Sequence, residues 1–433
     1  MSYVIRKPLR ILVSLMLISA FLLSACACAK TEDQDQPEPS QTPAQTTAAQ
    51  PAQTSAPVPS LLLGDADVSE YSIVYEAPRD KAVLGSRWKS EYDAGRVTAE
   101  RLAELIKAKF GVTLEIYADV TRKEHAREIL IGNTDRDESA SAKIYALKDD
   151  DYFVGMDGKK LVICGGEKGT TWHAVDSLEA FLNTEAAGGK YAITAETDLS
   201  GSYHLKRIAI LGDSISYGAL STNYQENGGA LGYAKMVGRI WWQECTVQVW
   251  AQPGICMRSD LGGFPTSPLF GQFRTAAAEN PFDVVLIMLG CNDSYTDTYS
   301  GGTWQGVWTE ADDQSFLNSA KVMVATAATI NPDAKIVMMN CPVYYRTAET
   351  HTSHYHSSPR VLSLQAQSVT NLKAEGYDIH LYDMNAYTTA NTTSSMFPDL
   401  LHPGDVGHEI MARGVIDMLK LLLEGKTDTY LIN

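Results

Sequence analysis

The sequence predicts an α/β protein: a parallel sheet covered by helices on both faces, preceded by a smaller α/β block. Three observations carry this. Between residues 204 and 425, five short apolar runs alternate with helix-like stretches, the rhythm that builds a parallel sheet. Between 61 and 200 strand-like and helix-like patterns also alternate, in shorter runs. Finally, 45% hydrophobic and 20% charged residues over 433 positions give ample core material for more than one domain.

In the larger block the strands fall at 207–211, 246–251, 283–289, 334–340 and 378–383. Helices are expected around 230–242, 268–279, 312–330, 358–375 and 405–424. In the smaller block "YSIVYE" (71–76), "TLEIYA" and "EILIG" read as strands. "TAERLAELIKAKFG" (98–111) has helical spacing and a glycine stop, and "TTWHAVDSLEAFL" (170–182) is amphipathic. "YFVGMDGKKLVICGG" is a hairpin turning at Asp157-Gly158. The run "GKKLVICGGEKGTTWHAVDSLEAFL", with "EILIGNTDR" before it, resembles the small α/β accessory domain of bacterial alpha-glucuronidases and hexosaminidases. No catalytic cluster stands out in this block, and the alternative is a generic packing domain.

The amino terminus has another character. Arg6, Lys7 and Arg10 precede an apolar run from Ile11 to Leu23, too short for a comfortable membrane span of about 20 residues. Leu23-Ser24-Ala25-Cys26 resembles the lipobox of bacterial lipoproteins, which implies cleavage before Cys26 and acylation of its thiol. An ordinary signal peptide with a chance cysteine is the alternative. Residues 30–60 hold six prolines and no aromatic, and bury too little apolar surface to offset chain entropy. They read as a disordered tether reaching roughly 30 Å. The expected organisation is therefore 1–25 signal, 26–60 lipidated cysteine and tether, 61–200 accessory domain and 201–433 main domain. The expected location is the outer face of a bacterial cell membrane.

The net charge of −16 becomes −19 without Arg6, Lys7 and Arg10. That argues against nucleic acid as a main partner, since phosphate binding needs a basic surface. Cys164, Cys245, Cys256, Cys291 and Cys341 show no CxxC pairing or zinc spacing, and read as small hydrophobes. No disulfide pair is favoured.

In a parallel sheet the site lies outside the carboxyl ends of the strands, where the strand order reverses. The loops there carry Gly212-Asp213-Ser214, then "AQPGIC" with Gly254, then "LGCNDS" with Asn292 and Asp293, and finally "FPDLLHPGDVGH" with Asp399 and His402. Each residue type suits acyl transfer. Ser214 needs a base to attack an ester, and the His402 imidazole is suited to that task. Asp399, three residues earlier, can fix the imidazole tautomer. The Ser214 N–H, the Gly254 N–H and the Asn292 amide can stabilise an oxyanion. Asp213 is read as a structural cap beneath Ser214.

These blocks, "GDSIS", "GCND" and "DLLH", resemble those of the SGNH (GDSL-type) hydrolases over roughly 204–425. The resemblance implies a three-layer α/β/α flavodoxin-like fold with a five-stranded parallel sheet. It implies Ser214 as nucleophile, His402 and Asp399 completing a triad, and Ser214, Gly254 and Asn292 in the oxyanion hole. It implies no metal or organic cofactor. One block departs from the family: where Asn-x-Gly-x-Ser-Gly is usual, Gln252-Pro253-Gly254-Ile255-Cys256-Met257 stands.

His408 reads as a surface or capping residue, and His351, His354 and His356 as an exposed loop with no metal role. The stretch 294–312 brings Tyr295, Tyr299, Trp304 and Trp308 near the site, with Tyr344 and Tyr345 after the fourth strand. Tyr295, Trp304, Trp308 and Tyr344 are expected to stack on sugar; packing onto the body is the alternative. The function expected is a surface lipoprotein esterase removing acyl groups, foremost acetyl, from extracellular polysaccharide or oligosaccharide. The alternatives are a lysophospholipase-like or thioesterase activity, acyl transfer to a sugar, or a non-catalytic carbohydrate-binding lipoprotein.

Overall fold

The computed structural model describes residues 59–78, 93–139, 146–184, 187–296, 308–343 and 359–432, which belong to one compact unit. In chain order the first strands are β1 (Ser60–Leu63), β2 (Ala66–Asp67), β3 (Ser72–Tyr75), β4 (Ile116–Ala118) and β5 (Glu128–Ile131). They continue with β6 (Asp151–Asp157), β7 (Lys160–Gly165), β8 (Lys190–Ile193) and β9 (Gly201–Ser202). Six of these form a sheet in the order β4-β3-β5-β7-β6-β9, while β1, β2 and β8 form a small separate one. Helices α1 (Ala94–Phe110) and α2 (Lys168–Leu182) pack on one face of the larger sheet. Ile73, Ile129, Ile131, Leu161 and Ile163 meet Leu102, Ile106, Val175 and Leu178 there. Each such buried side chain contributes about 1.5–3 kcal/mol.

Helix α1 starts four residues before the sequence pattern suggests. Asp93 caps it, accepting from the Arg96 N–H at 3.1 Å, and the Thr98 hydroxyl donates to the Ala94 carbonyl one turn back. Thr98, where the sequence pattern begins, lies inside the helix.

The second six-stranded sheet holds β10 (Lys206–Gly212), β11 (Cys245–Ala251), β12 (Val284–Met288), β13 (Lys335–Met339), β14 (Ile379–Tyr382) and β15 (Leu431–Ile432). Its order is β11-β10-β12-β13-β14-β15. The first five are parallel and in the expected places; β15 adds an antiparallel edge that corrects the expected count of five. Two residues carry too little pattern to read as a strand. Alternate side chains divide the sheet into two faces: Ile208, Ile210, Val284 and Leu286 point one way, Ala209, Leu211, Val285 and Ile287 the other.

The segments around β10 form α3 (Ser214–Tyr217), α4 (Tyr224–Asn227) and α5 (Tyr233–Ile240), followed by α6 (Pro268–Glu279) and α7 (Cys291–Thr296). Then come α8 (Glu310–Ile330), α9 (Pro359–Ala374), α10 (Met384–Asn391) and α11 (Asp405–Leu423). Helices α5 and α11 cover the first face through Tyr233, Met236, Met411, Val415 and Leu419. Helices α6, α8 and α9 cover the second through Phe273, Phe316, Met323, Val361 and Leu372. The result is helix, sheet, helix in three layers.

The two large sheets meet through a polar and aromatic seam. The His204 ring lies between the Asp150 and Asp283 carboxylates, at 3.0 and 3.1 Å. Trp172 meets Trp242 edge to face, and His173 stacks on Tyr203. Among the described residues, no helix is long and apolar enough to cross a membrane.

Candidate active site

Strand β10 is the point where the order of the second sheet reverses, since the chain goes from it to β11 on one side and then to β12 on the other. Gly212 ends it. A Cβ there would lie 2.1 Å from the Ser216 Oγ and 2.4 Å from its Cβ, so glycine lets the chain fold straight back into α3. Asp213 caps that single turn, its carboxylate accepting from the Ile215 N–H at 3.0 Å. Burial pushes the Asp213 carboxyl up to about 6. Ser214 opens the turn with 9% of its surface exposed.

The base comes from the turn before α11. The Asp399 carboxylate accepts from the Leu401 N–H at 2.9 Å and the His402 N–H at 2.6 Å, and Leu400 takes a left-handed φ of 63° to close the turn. Its other oxygen accepts from His402 Nδ1–H at 2.8 Å. The far nitrogen, Nε2, accepts from the Ser214 hydroxyl at 2.9 Å. Burial raises the Asp399 carboxyl, but these three donors outweigh it and hold it at about 2. The imidazole is thus fixed with its proton toward the acid and its lone pair toward the serine.

The oxyanion candidates follow the three adjacent strands β11, β10 and β12, with Ser214 in the middle. Gly254 has a φ of +82° and open space where a Cβ would stand, so its backbone turns in a way that favours glycine. Asn292 donates from Nδ2 to the Ile255 carbonyl at 2.9 Å, which ties its loop to the Gly254 loop. Asp293 strengthens the tie, accepting from the Met257 N–H at 2.7 Å and the Arg258 N–H at 3.0 Å. Fully buried, it is pushed up to about 6. Sequence reasoning missed this orienting role, although Asp293 belongs to the "GCND" block.

Two expectations are corrected. His408 is not a surface residue but completely buried, because α11 packs against the segment that follows Ser214. Its Nδ1 accepts from the Tyr233 N–H and its Nε2–H donates to the Ala219 carbonyl, both at 3.2 Å. Burial pushes it down to about 4, so it stays neutral as a structural link. Trp308 is not an exposed stacking surface. It is 4% exposed and packed beside Phe316, with the Arg258 and Arg360 guanidinium groups over its ring. The two cations and an aromatic neighbour leave no open ring face. Trp304, Tyr299, Tyr344, Tyr345, His351, His354, His356 and Cys26 lie outside the described residues, as does the side chain of Tyr295. Among the described residues, Cys164, Cys245, Cys256, Cys291 and Cys341 form no disulfide with one another.

A carboxylate, an imidazole and a serine hydroxyl bonded in that order, at the switch point of a parallel sheet, form the arrangement found in serine hydrolases. Residues 210–410 match the model of the GDSL-like lipase/acylhydrolase family. No curated protein matches the chain. Among solved structures it is similar to a family two carbohydrate esterase from Clostridium thermocellum in complex with cellohexaose. That likeness has 19% identity and a TM-score of 0.37, covering 52% of this chain and 67% of the other. It is also similar to an acetyl xylan esterase from the rumen bacterium Butyrivibrio proteoclasticus, at 15% identity and a TM-score of 0.39, covering 52% and 67%. A third is a carbohydrate esterase family 2 enzyme plus carbohydrate binding domain from Corynascus thermopiles (Myceliophthora fergusii). It has 19% identity and a TM-score of 0.37, covering 54% and 71%.

Proposed function

We propose that the protein is a serine ester hydrolase acting on O-acetyl groups of extracellular carbohydrate. The bonded sequence Asp399, His402, Ser214 carries the hydrolytic step. Ser214 Oγ attacks the ester carbonyl carbon while its proton passes to His402 Nε2. The resulting oxyanion accepts hydrogen bonds from the Ser214 and Gly254 N–H groups and the Asn292 amide, each worth about 2.7–4 kcal/mol in the transition state. Collapse breaks the bond to the alcohol oxygen, which takes the proton from His402 and leaves. Water, deprotonated by His402, then attacks the acyl-serine, and the acid departs as Ser214 regains its proton. The route uses only side chains, backbone and water.

The substrate side of the reading rests on the sequence: the export-type amino terminus, the tether, and the resemblance of the 61–200 block to domains of carbohydrate-active enzymes. In the same reading 1–25 is removed, Cys26 is lipidated, 26–60 is the tether, 61–200 is the accessory domain and 201–433 the hydrolase domain. The anchor holds the protein on the outer face of the cell membrane. Cell fractionation tests the anchor: Cys26→Ala is expected to release the protein into the medium, and continued membrane attachment would overturn it.

The function is tested by acetate release from acetylated xylan and by rates on 4-nitrophenyl esters of increasing chain length. Acetyl is expected to react fastest, with octanoyl at least about tenfold slower. The reverse order would move the substrate to lipid acyl chains. Glycan binding without turnover of any ester would make the chain a binding protein, and ester appearing on an added sugar acceptor would make it a transferase.

A further inference from the structure

The chain forms a pocket of about 460 Å³ lined by Tyr217, Tyr224, Gln225, Gln252, Pro253 and Leu269. That size lies within the range of small-molecule sites, roughly 300–1,000 Å³. We propose that it holds a neutral, hydroxyl-bearing sugar ring on the alcohol side of the scissile ester, an inference that rests on the ester hydrolysis proposed above.

Position is the first argument. Tyr217 lies three residues after Ser214 on the single turn of α3. Side chains so spaced are neighbours, their Cβ atoms about 5–6 Å apart. Ala251, also in the pocket wall, pairs with Gly212 across adjacent strands, which run about 4.8 Å apart. Gln252 and Pro253 lead directly into Gly254. The pocket is therefore bounded by the two chain segments that deliver the nucleophile and one oxyanion donor.

Its chemistry is the second argument. Two phenol rings offer flat apolar faces with a polar tip, and two amides offer both donors and acceptors. The Gln225 amide donates to the Tyr224 hydroxyl at 3.1 Å, which orients both groups. Among the described residues, no charged side chain lines the pocket. A phosphate or uronate there would lose hydration with no countercharge in return. A long acyl chain would cover phenol and amide groups that it cannot hydrogen-bond. A polyol with an apolar ring face satisfies both kinds of surface.

The wall that carries Tyr224 is also fixed. The Thr222 N–H and hydroxyl donate to the Asp405 carboxylate at 2.7 and 2.6 Å, at the start of α11. Leu220 and Asn223 hold left-handed φ values of 62° and 54°, a local strain that the surrounding bonds maintain. Asp405 follows His402 by three residues, so one short segment positions both the base and the pocket wall.

The test compares kcat/KM on 6-O-acetylglucose, a mono-acetylated glucuronate and 4-nitrophenyl acetate. Wild type is expected to favour the neutral sugar ester over the glucuronate by about tenfold or more. Tyr224→Ala and Gln252→Ala are each expected to lower the ratio of 6-O-acetylglucose to 4-nitrophenyl acetate activity by about tenfold, mainly through KM. An unchanged ratio in both variants, or preference for the glucuronate, overturns the assignment. Failure of the wild type on every ester would instead count against the hydrolase reading. The pocket is then judged separately, by calorimetric titration of 6-O-acetylglucose into Ser214→Ala protein with and without Tyr224→Ala. Binding lost in the double variant supports the pocket, and equal binding overturns it.

Discussion

Ser214→Ala is expected to lower kcat for ester hydrolysis by about 10⁶-fold while leaving the fold in place. The hydroxyl is small, 9% of the residue is exposed, and removing the oxygen deletes its hydrogen bond to His402 Nε2. The cap under the turn, Asp213 to the Ile215 N–H, does not involve the serine side chain. Circular dichroism should therefore match wild type while steady-state turnover vanishes. The chemistry allows a more direct measurement. Rapid quenching of the wild type with a slowly deacylating ester should leave an acyl group on the peptide containing Ser214. An acyl-free peptide, or a variant that keeps a tenth of the activity, would end the nucleophile assignment.

Asp399→Asn is expected to cost about 10⁴-fold in kcat with little change in KM. The amide is nearly the shape of the carboxylate, so the turn should survive. Its oxygen would go on accepting from the Leu401 and His402 N–H groups, the two bonds that shape the backbone. That leaves the NH₂ group facing His402 Nδ1, which must then accept instead of donate. The ring proton moves to Nε2 and points at Ser214, and an imidazole that already holds a proton there cannot take another as a neutral base. Raising the pH should not restore the rate, because the tautomer and not the charge is at fault. A loss smaller than about tenfold would show that the acid is not needed to set the ring.

Much of the fold between residues 206 and 423 was legible because its signals are local. "RIAILG" and "DVVLIM" are short apolar runs bounded by polar turns, and such runs buried on both faces suit a parallel sheet. The site motifs fall at the ends of those runs, where strand geometry alone predicts chemistry. What was missed depends on distant partners. β1 pairs in parallel with β8, some 130 positions on, and nothing in "SLLL" announces that neighbour. "MNAYTTAN" forms α10 through the Asp383 cap and Thr388 bonding, without a clear apolar stripe. His408 and Trp308 are polar-edged residues whose burial is decided by the helices that close over them. Asp293 was visible as a letter in a motif, but its work as a double backbone acceptor required the fold.

The serine and the imidazole that it bonds are 188 positions apart. The imidazole sits on a turn that runs directly into α11, the last long helix, whose apolar side packs on the sheet. A chain in which this helix is not in place has no base beside the serine. The bond between Ser214 and His402 thus joins the first strand of the sheet to the segment that leads into its last long helix.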